Sequence, residues 1–193
     1  MRIFLAGASG VIGQRLIPLL IQAGHVVGGM TRTASKMGLL SGLGAEPILA
    51  DAFDRDSLIT AVRNFAPDLI LNELTDLPDE ADKVRARFHL NARMRTEGNQ
   101  NLLEAAKKSG SPKIVAQSIA WQVPEGPGAQ AVAELERSVL ADGGVVLRYG
   151  QFYGPGTYYE DQLPAEPRIQ IDRAAQRTVE LLDAPSGVVV ITD

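Results

Sequence analysis

Phe4-Leu5-Ala6-Gly7-Ala8-Ser9-Gly10-Val11-Ile12-Gly13 decides the fold. With Arg2 and Ile3 in front, its first residues make a short apolar run that reads as a buried strand, and a helical pattern begins behind it. Strand, glycine turn and helix in that order form a dinucleotide-binding fingerprint. Gly7 allows the tight turn off the strand. Gly10 lets backbone N–H groups approach a pyrophosphate, and Gly13 lets the helix lie close to the sheet. Ser9, Val11 and Ile12 complete the phosphate-facing turn. The helix N-terminus adds unpaired N–H groups and the positive end of its dipole.

Moving outward, the helix over residues 11–23 is apolar on nearly every side, as a buried helix is. His25 to Met30 follows as a second strand. An NAD site places an acid near the end of that strand for the ribose 2′-OH. Here the stretch is Thr31-Arg32-Thr33-Ala34-Ser35-Lys36, with no acid and two bases. Arg32 and Lys36 suit a 2′-phosphate, so NADP is expected ahead of NAD. Thr31 stands beside them.

Glu46 to Ala50 is a third strand. Asp51 at its end is expected either to meet the adenine amino group, next to Ala52, or to cap the following helix; Asp54 is a second capping candidate. Asp68 to Asn72 is a fourth strand, leading into Glu73-Leu74-Thr75-Asp76. Leu74 and Thr75 are expected on the cofactor, whereas Glu73 and Asp76 read as a surface loop. Residues 79–108 carry a helical pattern broken only by Gly98. Arg85, Arg87, Arg93 and Arg95 read there as a solvated charged face, with Asn91 and Arg95 the two residues that could turn toward the cofactor. Lys113 to Ser118 is strand five, with Gln117 on the cofactor side. A helix over 130–140, a strand Val145 to Tyr149, a helix Asp172 to Leu182 and a strand Val188 to Ile191 complete the chain. This alternation predicts a doubly wound α/β fold of the Rossmann type, residues 1–193 forming a single domain. Its mostly parallel sheet has about seven strands, with helices on both faces.

Composition narrows the function. The net charge is −4, which argues against nucleic acid as a partner. There are no cysteines, and His25 and His89 have no metal-ligand spacing, so no metal is expected. The apolar runs fall far short of a membrane span, and no signal-peptide layout opens the chain, so a cytoplasmic protein is expected.

Several motifs taken together resemble one known group. Gly7 to Gly13 is similar to the GxxGxxG of extended short-chain dehydrogenases/reductases, the NAD-dependent epimerase/dehydratase family. Asn101-Leu102-Leu103-Glu104-Ala105-Ala106 resembles that family's NLLEAA helix. Leu147 to Gly156 resembles its R-x-x-x-x-YGPG segment, and residues 169–190 its late helix and strand. The resemblance implies bound NAD(P), with Tyr149 and Phe152 near the nicotinamide. It implies a small hydroxy or keto substrate, such as a sugar nucleotide or a secondary metabolite. It also implies a homodimer through helices like 79–108 and 130–140, and a substrate lobe reduced to the loop 154–168. The family's Tyr-x-x-x-Lys pair is absent: Gly128 and Val132 stand at its positions, and residues 123–139 hold neither Tyr nor Lys. Ser118 and Tyr153 are the candidate substitutes for moving a proton, though a strict register places Ile119 at the family's serine. Tyr149 and Tyr153 read first as packing under the loop. The function expected is an atypical NADP-dependent oxidoreductase or epimerase. The alternatives are a non-catalytic NADP sensor of the NmrA-like kind, or a non-redox lyase or isomerase.

Overall fold

The computed structural model describes residues 1–78, 80–110 and 112–193, with Arg85 described by its backbone alone. Strand β1 (Arg2–Ala6) is buried on both faces, Ile3 and Leu5 to one side and Phe4 and Ala6 to the other. An all-apolar run in a parallel sheet must be covered in this way. The chain continues through α1 (Gly13–Gln22), β2 (Val26–Thr31), α2 (Met37–Gly42), β3 (Glu46–Leu49), α3 (Arg55–Phe65) and β4 (Leu69–Asn72). Then follow α4 (Val84–Arg93), α5 (Asn99–Lys108), β5 (Lys113–Ile119), α6 (Pro127–Ala141) and β6 (Val145–Tyr149). Short strands β7 (Gln151–Tyr153) and β8 (Arg168–Gln170) lead to α7 (Ile171–Glu180) and β9 (Gly187–Ile191).

Seven strands make one parallel sheet in the order β3-β2-β1-β4-β5-β6-β9. The order reverses between β1 and β4, which opens a crevice at the carboxyl ends of the strands. The core has two halves. Leu16 and Leu20 of α1 and Ala174 and Ala175 of α7 cover one face, over Leu5, Leu71 and Leu147. Leu58 of α3, Leu102 of α5 and Val139 of α6 cover the other, over Phe4, Ile70 and Val146. Among the described residues, no helix is long and apolar enough to cross a membrane.

Three expectations need correction. The helical stretch does not break at Gly98: α4 passes into a π-turn, Met94–Gly98, and straight on into α5. A β-carbon on Gly98 would come within 2.6 Å of Met94 Sδ, so the glycine is kept for close packing. Residue 79, the expected start of that stretch, lies outside the described residues. The helix before β6 begins at Pro127 rather than 130, which puts Gly128 in its first turn; proline suits that position. Asp54 caps α3, its Oδ1 accepting from Ser57 N at 3.2 Å, while Asp51 Oδ1 accepts from Phe53 N at 3.0 Å in its own turn. Two short strands that the sequence reading does not assign, β7 and β8, flank the loop after residue 153 and pair in parallel.

Candidate functional site

The turn after β1 is built for close approach. Gly7 has φ +88°, and a β-carbon there would lie 2.6 Å from the Glu73 carbonyl oxygen. One on Gly13 would lie 2.4 Å from the Gly7 carbonyl oxygen, so α1 rests directly on the turn. Gly10 N donates to Gly7 O at 3.0 Å and closes it. No side chain caps the N-terminus of α1, and its first turn holds no acid. Its orphan N–H groups therefore suit an anion, and the cradle fits a pyrophosphate.

The other expected cofactor residues gather around this turn. Ser9 Oγ lies 3.2 Å from Thr31 Oγ1, which also accepts from Thr33 N. Arg32 is exposed and forms a two-pronged pair with Asp76, at 2.9 and 3.3 Å; Lys36 is exposed nearby in a short 3-10 turn. Asp51 and Ala52 follow β3, and the carbonyl of the buried Ala52 accepts from Asn101 Nδ2 at 2.9 Å. Leu74 N donates to Asn72 Oδ1 at 3.1 Å, and Leu74 O accepts from Gln117 Nε2 at 3.0 Å, which laces β4 to β5; Thr75 is exposed beside them. Asn91 Oδ1 accepts from Asp76 N at 3.1 Å and fixes the loop after β4 to α4. Val11 and Ile12 sit in the turn itself, Val11 within 3.7 Å of a β-carbon built on Gly156.

Glu73 is no surface residue, contrary to expectation. Alternation along β4 turns Leu71 and Glu73 toward the α1 and α7 core, and Glu73 is 5% exposed. Burial pushes its carboxyl up to about 8, against the opposing hydrogen bond from Tyr149. The Tyr149 hydroxyl lies 3.0 Å from Glu73 Oε1 and 2.6 Å from Thr178 Oγ1, which donates to Ala174 O at 2.8 Å. Tyr149 donates to Glu73, so its hydroxyl is held between the Glu73 carboxyl and the Thr178 hydroxyl inside the core. Tyr149 is therefore a core residue whose hydroxyl is engaged by Glu73 and Thr178. Phe152 packs on its ring at 5.2 Å between centroids.

The two proton-moving candidates lie in separate networks. Tyr153 stands beside Asp193, whose carboxylate raises the phenol; burial adds to this, while Arg173 and Arg168 work against it. A phenol held protonated in this way is a poor base. Ser118 is 1% exposed, and its Oγ donates to Glu136 Oε1 at 2.6 Å. Arg148 clasps the same carboxylate, Nε to Oε1 at 2.9 Å and Nη2 to Oε2 at 2.6 Å. Burial works to raise Glu136, but the bonds from Arg148 and Ser118 and the charges of Arg148 and Arg95 hold it below the usual range. The single Ser118 proton is thus committed to a stable anion and is unavailable to a substrate. Gly128, Val132 and Glu136 are spaced by four on α6 and share one face, so the two positions that lack a titratable group lie in line with this cluster.

Arg95 is the residue that periodicity misreads. The charge pattern assigns it to a solvated face, yet its Nε is buried and has no hydrogen-bond partner. Arg93 does take the solvent side, paired with Glu97 and lying over the Phe53 ring.

Comparison with known proteins agrees with this geometry. Residues 7–142 match a family described as NAD(P)H-binding. The chain is 38% identical to a 3-diazoavenalumate denitrifying reductase from Streptomyces sp, over 82% of this chain, and spans 59% of that protein's length. Among solved structures it resembles the UDP-glucose 4-epimerase of Thermus thermophilus in complex with NAD. There the TM-score is 0.81 at 20% identity, over 100% of this chain and 78% of that one. It also resembles the UDP-glucose 4-epimerase of Thermotoga maritima with UDP-glucose, with TM-score 0.80 at 19% identity over 100% and 77%. The glycine cradle, the strand order and these likenesses converge: the chain belongs to the NAD(P)H-binding family and carries the Rossmann fold of the epimerase/dehydratase type of short-chain dehydrogenases/reductases.

Proposed function

We propose that the protein is an NADPH-dependent reductase whose acceptor takes hydride without needing a proton from the protein. The 38% identity to the Streptomyces reductase carries this reading. The α6 face specifies the kind of reductase, since Gly128 and Val132 offer no proton and those of Ser118 and Tyr153 are committed elsewhere. A ketone or secondary alcohol needs a proton partner within hydrogen-bond reach; an aryl diazonium ion does not. When it takes a hydride, a C–H bond forms, the C–N bond breaks, and its electron pair leaves with dinitrogen.

Bound NADPH supplies the hydride. The protein's own part is positioning. The turn Gly7 to Gly13 and the start of α1 hold the pyrophosphate. Arg32 and Lys36 take the 2′-phosphate, Arg32 exchanging Asp76 for it, and Leu74 and Thr75 line the path along β4. Calorimetric titration tests the cofactor preference. Wild-type protein binds NADPH tighter than NADH, and Arg32→Ala loses about tenfold or more of NADPH affinity with NADH unchanged, as expected for lost charge-assisted bonds. Equal affinities in the wild type would remove the preference for NADP.

Turnover is tested by following NADPH absorbance with an aryl diazonium salt and with a simple ketone, against protein-free controls. Deuterium carried from labelled NADPH into the arene, with no consumption of the ketone, is the expected result. Tight NADPH binding with no acceptor reduced would make the chain a dinucleotide sensor. Reduction of the ketone alone would return it to hydroxy and keto chemistry.

A further inference from the structure

Arg95 is a part-buried charge whose Nε has no partner among the described residues. It is the second residue of the π-turn. One turn earlier, Asn91 anchors Asp76; one turn later, Asn99 accepts from Asn72 Nδ2 at 3.1 Å and donates to Ser138 Oγ at 3.0 Å. The Arg95 guanidinium is therefore carried on the stripe that binds the end of β4 to α6. It is part-buried, its Nε is sealed from solvent, and among the described residues it makes no hydrogen bond or ion pair.

Its surroundings explain the vacancy of its bonds. Glu136 is the carboxylate that attracts it, but both Glu136 oxygens are engaged by Arg148 and Ser118. Two guanidiniums thus face one carboxylate. Gly128 and Val132 lie in line on α6 and bring no acceptor. Burial draws Arg95 below its ordinary value while Glu136 opposes, and a guanidinium stays charged regardless. A part-buried cation with idle donors is a cost that a fold relieves with an apolar replacement unless a ligand answers it.

We infer that Arg95 seats a carboxylate of the substrate, beside the carboxyl end of β4. A planar carboxylate presents two acceptors to a guanidinium fork, which a neutral amide or a point charge does not match. This rests on the reductase reading only in taking that edge as the substrate side.

Calorimetric titration of benzoate and of its neutral isostere benzamide into the NADPH complex tests it. Wild type is expected to prefer benzoate by tenfold or more. Arg95→Met abolishes the preference, and Arg95→Lys keeps a few-fold of it. Arg95→Met also raises the unfolding temperature, because an unanswered charge is replaced by an apolar chain of similar length. Equal binding of the two probes by wild type, or the same preference in Arg95→Met, overturns the inference. So does inorganic phosphate binding more tightly than benzoate. A lowered unfolding temperature in Arg95→Met makes Arg95 a structural counter-charge to Glu136 and also overturns it. Preference for benzoate with no NADPH consumed on any acceptor would sink the reductase reading and leave the anion seat standing.

Discussion

Two polar clusters lie under the same sheet edge, on opposite faces. On the α1 and α7 side, Glu73, Tyr149 and Thr178 form a chain of hydroxyl-type groups that ends on a helix carbonyl. On the α6 side, Ser118, Glu136 and Arg148 form an ion cluster with Arg95 left over. The first is turned inward, its carboxyl and hydroxyls bonded to one another in the core. The second is charged and carries surplus donors. Matched networks stabilise and specify a core, whereas a surplus at a crevice is where a ligand can add something. Burial alone does not separate the two, since Glu73 and Glu136 are 5% and 8% exposed. What separates them is which proton state each environment holds: neutral for Glu73, ionised for Glu136.

The largest test breaks the charged side. Glu136→Leu leaves Arg148 and Arg95 without their carboxylate and is expected to cost about 3 kcal/mol in urea unfolding; the figure sits low in the usual range because Arg148 is 41% exposed. A cost near zero would show that the cluster is not an ion cluster in solution. The next test sharpens the inward-turned side. The folded state keeps the Glu73 proton up to about pH 8, and the unfolded state loses it near the ordinary 4.5. The folded state therefore binds more protons in between, and stability falls as pH rises through that window, with nothing further lost above it. Glu73→Gln abolishes this fall, so the variant gains on wild type by roughly 2 kcal/mol between about pH 5.5 and about pH 7.5. Thermal unfolding at several pH values reads the difference, and parallel curves would refute a neutral Glu73. The smallest effect is Thr178→Val, which removes the last relay before Ala174 O and costs about 1 kcal/mol. That loss should vanish in a Tyr149→Phe background.

The sequence made the sheet legible because most of its strands are short apolar runs between glycines and turns, from the buried Phe4-Leu5-Ala6 to the half-exposed Val188-Val189-Val190. Strands β7 and β8 stayed hidden because each is only three residues long and they pair across a loop from Gln151 to Arg168. The cofactor turn was legible because its glycines are required by backbone contacts that local sequence encodes. The two clusters were not. An acid just past a strand reads as surface, and only the register of β4 against β1 and β5 shows that Glu73 points inward. Arg95 carries the same periodic signal as Arg93, yet the first is sequestered and the second solvated. Two charges only two residues apart on a helix face different surroundings, and charge pattern alone cannot sort them.

The π-turn Met94–Gly98 gives that sorting a mechanical origin. An α-helix advances about 100° per residue, so a turn that holds one residue more resets the angular phase between the segments on either side. The α5 segment can then keep Asn99 and Leu102 docked while α4 sets Asn91 at a separately chosen azimuth, with Arg95 in the turn between them. Deleting a single residue from this turn would leave both helices intact in length and composition. It would rotate the whole of α4 about its axis, swinging Asn91 and the loop it steadies out of register with the sheet. A deletion scan through residues 94–98 would therefore be harsher on ligand binding than on helix content, and circular dichroism beside calorimetry would separate the two.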